Sequence, residues 1–333
     1  MMILVAGGAG FIGSHTCVEL LCRGYDVLIA DNFSNSSRDV ILRISEAANK
    51  RVSFADIDLT DANKTQELFK RYKIDAVILL AGYKAVGESV EKPLMYYRNN
   101  LDIALTLLEQ MQISGCRKLI FSSSATVYDQ SCPSPLREDM PTSQLNPYGR
   151  TKRMIEQILE DTAASGDWSI VSLRYFNPVG AHKSGLIGEE PNGIPNNLMP
   201  YIAKVASGEL ECLSVFGNDY PTHDGTGVRD YIHVCDLALG HVKALEYADS
   251  HSGIEYINLG TGNGISVLEM VSAFEKACGK KIPYKIMPRR AGDCAVCFAD
   301  NSKAKELLGF EPVLDVNDMC EDLWRFQTMK KDF

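Results

Sequence analysis

Residues 2–6 form an unbroken apolar run, the pattern of a strand buried on both faces. A glycine-rich turn follows, then helical spacing to about residue 23 and a second apolar run over 27–30. Runs and helical stretches then alternate. Strands are expected over 51–55, 76–80, 118–122 and 169–174, and helices over 62–72, 96–114 and 146–165. Alternation with helices of this length predicts an α/β fold with a parallel, doubly wound sheet. Ligands in such sheets lie beyond the carboxyl ends of the strands. The segment from Gly7 to Gly13, Asp31, Asp58, the segment from Ala81 to Lys84, the run from Ser122 to Thr126, and Phe176 all fall on that rim.

The alternation breaks after Gly180. Residues 185–197, rich in Gly, Pro and Asn, read as a loop, 198–208 as a helix, 213–216 as a strand and 219–227 as a polar loop. Residues 229–236 lead into a helix to about 248, and 256–259 are apolar enough to return as a strand to the main sheet. Residues 283–287 and helices after Asn301 and Asp315 complete a smaller mixed α/β region. The expected division is 1–176, with 229–260 returning to it, as a cofactor domain, and 177–333 mainly as a substrate domain.

Composition narrows the class. Of 333 residues, 45% are hydrophobic and 23% charged, the balance of an ordinary globular protein. A net charge of −9 argues against a nucleic-acid surface, which needs concentrated Lys and Arg. No signal peptide and no run of membrane-spanning length is visible, so a cytoplasmic protein away from the membrane is expected. The ten cysteines are scattered, as in reduced cytosolic proteins. Cys294-x-x-Cys297 has no second pair and no nearby His, so no metal site is expected.

The candidate chemistry sits on the rim. Gly7-x-x-Gly10-x-x-Gly13, between a strand and a helix and followed by a strand ending on Asp31, is a dinucleotide-binding fingerprint of Rossmann type. Its glycines let the backbone approach a pyrophosphate at the helix N-terminus. Asp31 suits two ribose hydroxyls and repels a 2′-phosphate, pointing to NAD, although Arg38 is near enough to leave NADP open. Asn146 and Pro147 start a helix on which Tyr148 and Lys152 share a face. A cation beside a phenol favours the phenolate, the form that acts as a base. A hydroxyl of the 122–124 serine run can bridge Tyr148 and a substrate oxygen; Ser124 is preferred, but spacing does not separate it from Ser122 and Ser123. Arg229 and Arg290 suit a diphosphate or a solvated surface equally well. His233 reads as a structural hydrogen-bonder near the helix start at Asp236.

With these motifs, with 81–89, 122–128 and 174–180, and with 193–201, 217–222 and 229–233, the chain resembles the extended short-chain dehydrogenase/reductase family end to end. The resemblance is to its branch acting on UDP-hexoses at C4. It implies reversible C4 epimerisation through a transient 4-keto sugar with tightly held NAD. It also implies catalysis by Ser124, Tyr148 and Lys152, and a homodimer formed through the helices over 96–114 and 152–165. NAD would be lined by Gly7, Gly10, Phe11, Ile12, Gly13, Asp31, Asn32, Phe33, Ser34, Asn35 and Ser36. It would also meet Asp58, Leu59, Leu80, Ala81, Gly82, Tyr83, Lys84, Asn99, Ser122, Tyr148, Lys152 and Phe176. The UDP-sugar would meet Ser124, Tyr148, Asn177, Asn197, Phe216, Arg229, Arg290, Asp293 and Cys297.

Four positions depart from the pattern or modulate it. Leu79-Leu80 replaces a common His-Phe, and Asp129 replaces a Gly; neither is catalytic. Cys297 stands where some relatives carry a tyrosine facing the sugar C2 group, which implies room for an N-acetyl substituent. A 4,6-dehydratase is disfavoured because Ala125-Thr126 replaces the acid pair that dehydration needs. A non-catalytic NAD-binding regulator has no need of Tyr148, Lys152 and Ser124 together. A dehydrogenase with net NAD turnover lacks a nucleophilic cysteine motif at the rim.

Overall fold

The computed structural model describes residues 1–190, 193, 195, 197–290 and 292–329. Pro191, Asn192, Ile194 and Asn196, all within the loop expected over 185–197, lie outside the described residues, as do Ala291 and residues 330–333.

The first half runs β1 (Met2–Ala6), α1 (Phe11–Cys22), β2 (Asp26–Asp31), α2 (Asp39–Ala47), β3 (Ser53–Asp56), α3 (Ala62–Arg71) and β4 (Ala76–Leu79). It continues with α4 (Val86–Glu91), α5 (Pro93–Ser114), β5 (Lys118–Ser124), α6 (Pro147–Ala164) and β6 (Ser169–Tyr175). The second half holds β7 (Asn177–Val179), α7 (Leu198–Ala206), β8 (Leu213–Phe216), β9 (Val228–His233), α8 (Val234–Ala248) and β10 (Gly253–Leu259). β11 (Gly264–Ser266), α9 (Val267–Cys278), β12 (Tyr284–Met287), β13 (Val296–Cys297), α10 (Ser302–Leu308) and α11 (Val316–Met329) complete it.

The main sheet is seven-stranded and parallel, in the order β10-β6-β5-β4-β1-β2-β3. It is the Rossmann-type fold that the alternation predicts. One apolar layer lies on each face. α1 and α8 supply Leu20, Leu237 and Leu245 to one, while α5 and α6 supply Leu107, Ile155 and Leu159 to the other. The strand order reverses between β1 and β4, which are themselves parallel, and ligand crevices form at such a point. There the amides of Leu80 and Ala81 both donate to the Ala6 carbonyl, and Gly7 donates to Ala30.

The smaller region has a mixed sheet, β11-β9-β13 with β7 also on β9, and a parallel pair, β8 with β12. Its core is walled by α7, α9 and α11 through Ile202, Phe274 and Leu323. The chain crosses between the two regions repeatedly. β9 belongs to the small sheet, whereas α8 packs on the main one and β10 extends it beside β6.

Several elements differ from expectation. α2, α4, α9 and the short strands β7, β11 and β13 were not anticipated. Residues 228–233, read as an approach to a helix, are a strand; it exists because β7, β11 and β13 pair with it. β5 runs two residues further than 122, so Ser124 sits at its last position.

Candidate active site

The glycine loop is shaped by contact with β4. Gly7 has φ of 81°, and a Cβ there would lie 2.7 Å from the Ala81 nitrogen. A Cβ at Gly13 would run into the Gly7 carbonyl oxygen. Gly10 differs, because a Cβ would meet protein only at 3.4 Å and would instead fill the space before α1. Among the described residues no side chain caps α1, and no acid stands in its first turn, so its leading N–H groups are left for an anion. These are the features a dinucleotide pyrophosphate requires, and the rim fits NAD.

Asp31 ends β2 with its carboxylate accepting the Ala9 amide at 3.0 Å and the Phe33 amide at 2.9 Å. Burial raises its pKa and these two bonds oppose the rise. Arg38, the residue that left NADP open, is paired with Asp56 and lies over the Phe33 ring. It is therefore engaged on the neighbouring strand. Asn32 Nδ2 approaches Asp58, whose carboxylate also accepts the Thr60 amide and hydroxyl. Leu59 is buried, and Leu80 packs on the sheet core. Ala9, Gly10, Phe11, Asn35 and Ser36 line one cavity, which Leu186, Ile187, Gly188 and Phe326 close from the smaller region. Sequence reasoning did not assign that closing wall.

At the other end of the rim, Asn146 caps α6 by accepting the Gly149 amide at 2.8 Å, with Pro147 as first helical residue. This orients Tyr148 and Lys152. Lys152 is buried and its Nζ donates to the Ser122 carbonyl at 2.6 Å, 5.8 Å from the centre of the Tyr148 ring. Burial lowers its pKa to about 8, with Glu156 opposing. Burial raises the Tyr148 pKa, and a hydrogen bond with Ser124 counters it. In the chain alone, then, Tyr148 is held neutral; the lysine by itself does not produce the phenolate.

The three serines separate here. The Ser122 hydroxyl accepts from Tyr175. Ser123 is fully buried and donates to Glu156 at 2.7 Å. Ser124 alone meets Tyr148, and it also accepts from the Thr126 hydroxyl at 3.0 Å.

Asn100, unassigned from the sequence, is the clamp of this site. Its Oδ1 accepts the Tyr83 amide at 2.8 Å, and its Nδ2 donates to the Tyr83 carbonyl and the Thr151 hydroxyl, both at 3.1 Å. It ties the segment holding Ala81, Gly82, Tyr83 and Lys84 to α6, with Asn99 donating to it from the side. A polar residue at a buried helix position facing a glycine loop was the available signal.

In the smaller region, Arg290 donates to Asp293 at 2.8 Å and lies 5.0 Å over the Phe216 ring; Arg229 stands 3.9 Å from Asp293. Cys297 is the strand partner of Arg229 and packs against the small apolar cluster that includes Val127, Phe176 and Ala299. Its hydrogen bond with Cys294, together with burial, pushes its thiol pKa up, so it is neutral. Asn177 opens β7 and is exposed. Asn197 precedes α7 and donates to Glu189 at 2.9 Å, while Lys84 pairs with Glu189 from the other side at 3.2 Å. His233 caps α8 by accepting the Cys235 amide, the structural role expected of it. Asp129 accepts from Ser131 in a local turn, and Leu79 is buried within β4.

Residues 3–260 match the NAD dependent epimerase/dehydratase family. A UDP-glucose 4-epimerase of Bacillus subtilis is 58% identical over 329 residues, covering 98% of this chain and 97% of its own length. A UDP-glucose 4-epimerase structure from Stenotrophomonas maltophila, with bound NAD and formylated UDP-arabinopyranose, superposes with a TM-score of 0.98 at 49% identity, covering 100% of this chain and 99% of that one. One from Bifidobacterium longum, in complex with NAD+ and UDP, gives 0.96 at 51%, with 100% and 99% covered.

Proposed function

The chain belongs to the NAD dependent epimerase/dehydratase family, in its UDP-glucose 4-epimerase branch, and from that premise we propose how its residues act. It is an NAD-dependent isomerase. When bound, NAD would supply the acceptor and donor of hydride at the sugar C4. Gly7, Gly10 and Gly13 would admit its pyrophosphate, Asp31 its ribose, and Lys152 the ribose at the nicotinamide end.

Tyr148 takes the proton from the sugar O4 and gives it back to the 4-keto oxygen. Ser124, hydrogen-bonded to Tyr148, orients that oxygen. Lys152 supplies positive charge beside the phenol; with a cationic nicotinamide it favours the phenolate that burial alone opposes. Arg229 and Arg290 grip the diphosphate, while Asn177, Asn197, Phe216 and Asp293 complete the UDP site. Such a grip leaves the hexose free to turn over between the two transfers. The small side chain of Cys297, on β13 beside Arg229, supports a pocket with room at C2. Activity on UDP-GalNAc and UDP-GlcNAc accompanies that on UDP-galactose and UDP-glucose; the narrower alternative is the latter pair alone.

In this account residues 1–176 with 229–260 hold NAD and 177–333 mainly hold the UDP-sugar. The chain works as a homodimer in the cytoplasm. Exposed Leu94, Leu105 and Met154 on α5 and α6 are the apolar surface such a pair would cover. No helix of the described residues is long and apolar enough to cross a membrane.

The single observation carrying the proposal is the convergence of Ser124, Tyr148 and Lys152 at the end of β5. Proton NMR of the protein with UDP-galactose, and separately UDP-GalNAc, without added NAD, tests it. Gluco-configured product in both tubes is expected. Product from UDP-galactose alone would remove the broader scope, and none in either, even with NAD added, would overturn the proposal.

A further inference from the structure

Glu156 lies one turn beyond Lys152 on α6 and is fully buried. Its Oε1 accepts from the Ser123 hydroxyl at 2.7 Å, Arg174 Nε at 2.9 Å and the Ser172 hydroxyl at 3.1 Å. Its Oε2 accepts from Arg174 Nη2 at 2.8 Å and Arg153 Nη1 at 3.5 Å. Arg174 is itself buried, 4.5 Å from the Tyr256 ring and 5.0 Å from the Tyr128 ring. The surrounding layer is otherwise apolar, with Phe121, Ile155 and Leu159. A buried pair of this kind is a poor source of stability, because desolvation consumes most of the attraction and apolar replacements often do as well. Its position suggests a different use. Ser123 stands between the Ser122 carbonyl, which receives Lys152, and Ser124, which meets Tyr148. Tyr148, Lys152 and Glu156 follow at four-residue steps along one stripe of α6.

We propose that Glu156 is a positioning residue of this site: clamped to Ser123, Ser172 and Arg174, it fixes α6 over the end of β5 and with it the places of Tyr148 and Lys152. The inference rests on the roles given above to Tyr148 and Lys152. Burial alone drives Lys152 toward its neutral form, and Glu156 is the group opposing it. Among the described residues, the other groups around the lysine carry no compensating negative charge. They are Tyr148 on its own helix, the Phe121 ring and Ser122 carbonyl on β5, Tyr175 reaching Ser122 from β6, and Tyr96 of α5 beside Tyr148. Arg174 and Arg153 lie beyond Glu156 and are positive.

The test compares wild type, Glu156→Gln, Glu156→Asp, and the double variant Glu156→Leu with Arg174→Met, all NAD-loaded. Measured are kcat and KM for UDP-galactose across pH, and the titration of Lys152 by NMR of 13C-labelled lysine. In Glu156→Gln the Lys152 titration and the basic limb of kcat should move to lower pH. Its kcat should fall by about tenfold or more with KM unchanged, and Glu156→Asp should restore part of it. The double variant should fold and show the same defect. A folded Glu156→Gln with an unmoved titration and kcat overturns the inference, as does a folded double variant with wild-type kinetics. If neither variant folds, the role is structural only and the inference falls. Absence of turnover in wild type would instead sink the proposed function, while the NMR titration still tests Glu156.

Discussion

At the residue scale the site is a contest between burial and charge. Burial raises Tyr148 and lowers Lys152, each toward the neutral form, and the proposed mechanism needs both charged. Tyr148→Phe should lower kcat by about 10²–10⁴-fold while UDP affinity, read by calorimetry, stays unchanged. For Lys152 the folded pKa of about 8 lies below the 10.5 of an ordinary solvated lysine, so between those values the unfolded chain binds more protons and stability rises with pH. Below about pH 8 the buried ammonium costs the fold in full. Lys152→Met should therefore be more stable than wild type at pH 7, on the order of 1–3 kcal/mol, and lose that advantage as pH approaches 10. Thermal unfolding at both pH values checks this, and an advantage independent of pH would contradict it. Cys297→Tyr should abolish turnover of UDP-GalNAc and spare UDP-galactose, because a bulky ring at this position would take the room proposed for the C2 substituent. Equal loss on both, in the NMR assay, would refute the steric reading.

At the element scale, close approaches of backbone hold the rim together. Gly13→Ala should destabilise the protein by about 2 kcal/mol or more, since neither α1 nor the Gly7 turn can yield, and should release NAD on gel filtration. Asn100→Ala leaves the Tyr83 amide and carbonyl without their partner, at about 1–3 kcal/mol. Its effect on kcat should exceed its effect on KM, because the Tyr/Lys helix is what it tethers. The glycine loop, the Asn146 cap and the β10 return were legible because each is a local pattern tied to one geometry. The start of α9 is an equally local pattern, absent from the expected elements. Ser266 and Glu269 form a capping box before Val267, Met270, Val271 and Phe274 at helical spacing. β7, β9 and β13 were not legible, since strands of two to six residues form only because distant partners pair with them. Choosing Ser124 over its neighbours likewise needed Glu156 and Tyr175, which the sequence places 33 and 53 positions from the serines they bind.

At the scale of the whole molecule, the two regions close on one cavity. Glu189 meets Lys84 of the cofactor rim and Asn197 before α7, and Arg43 pairs with Glu190 at 3.4 Å. Lys84 is half exposed, so each pair is modest alone. Glu189→Gln should nonetheless speed NAD release by a few-fold, about what one partly screened charge-assisted bond sustains, read as cofactor lost on dilution. The central claim is that one resident NAD takes and returns the same hydride. UDP-galactose deuterated at C4, converted in ordinary water, tests it most directly. The account predicts gluco product with the deuterium still on C4. Deuterium lost to solvent would contradict it.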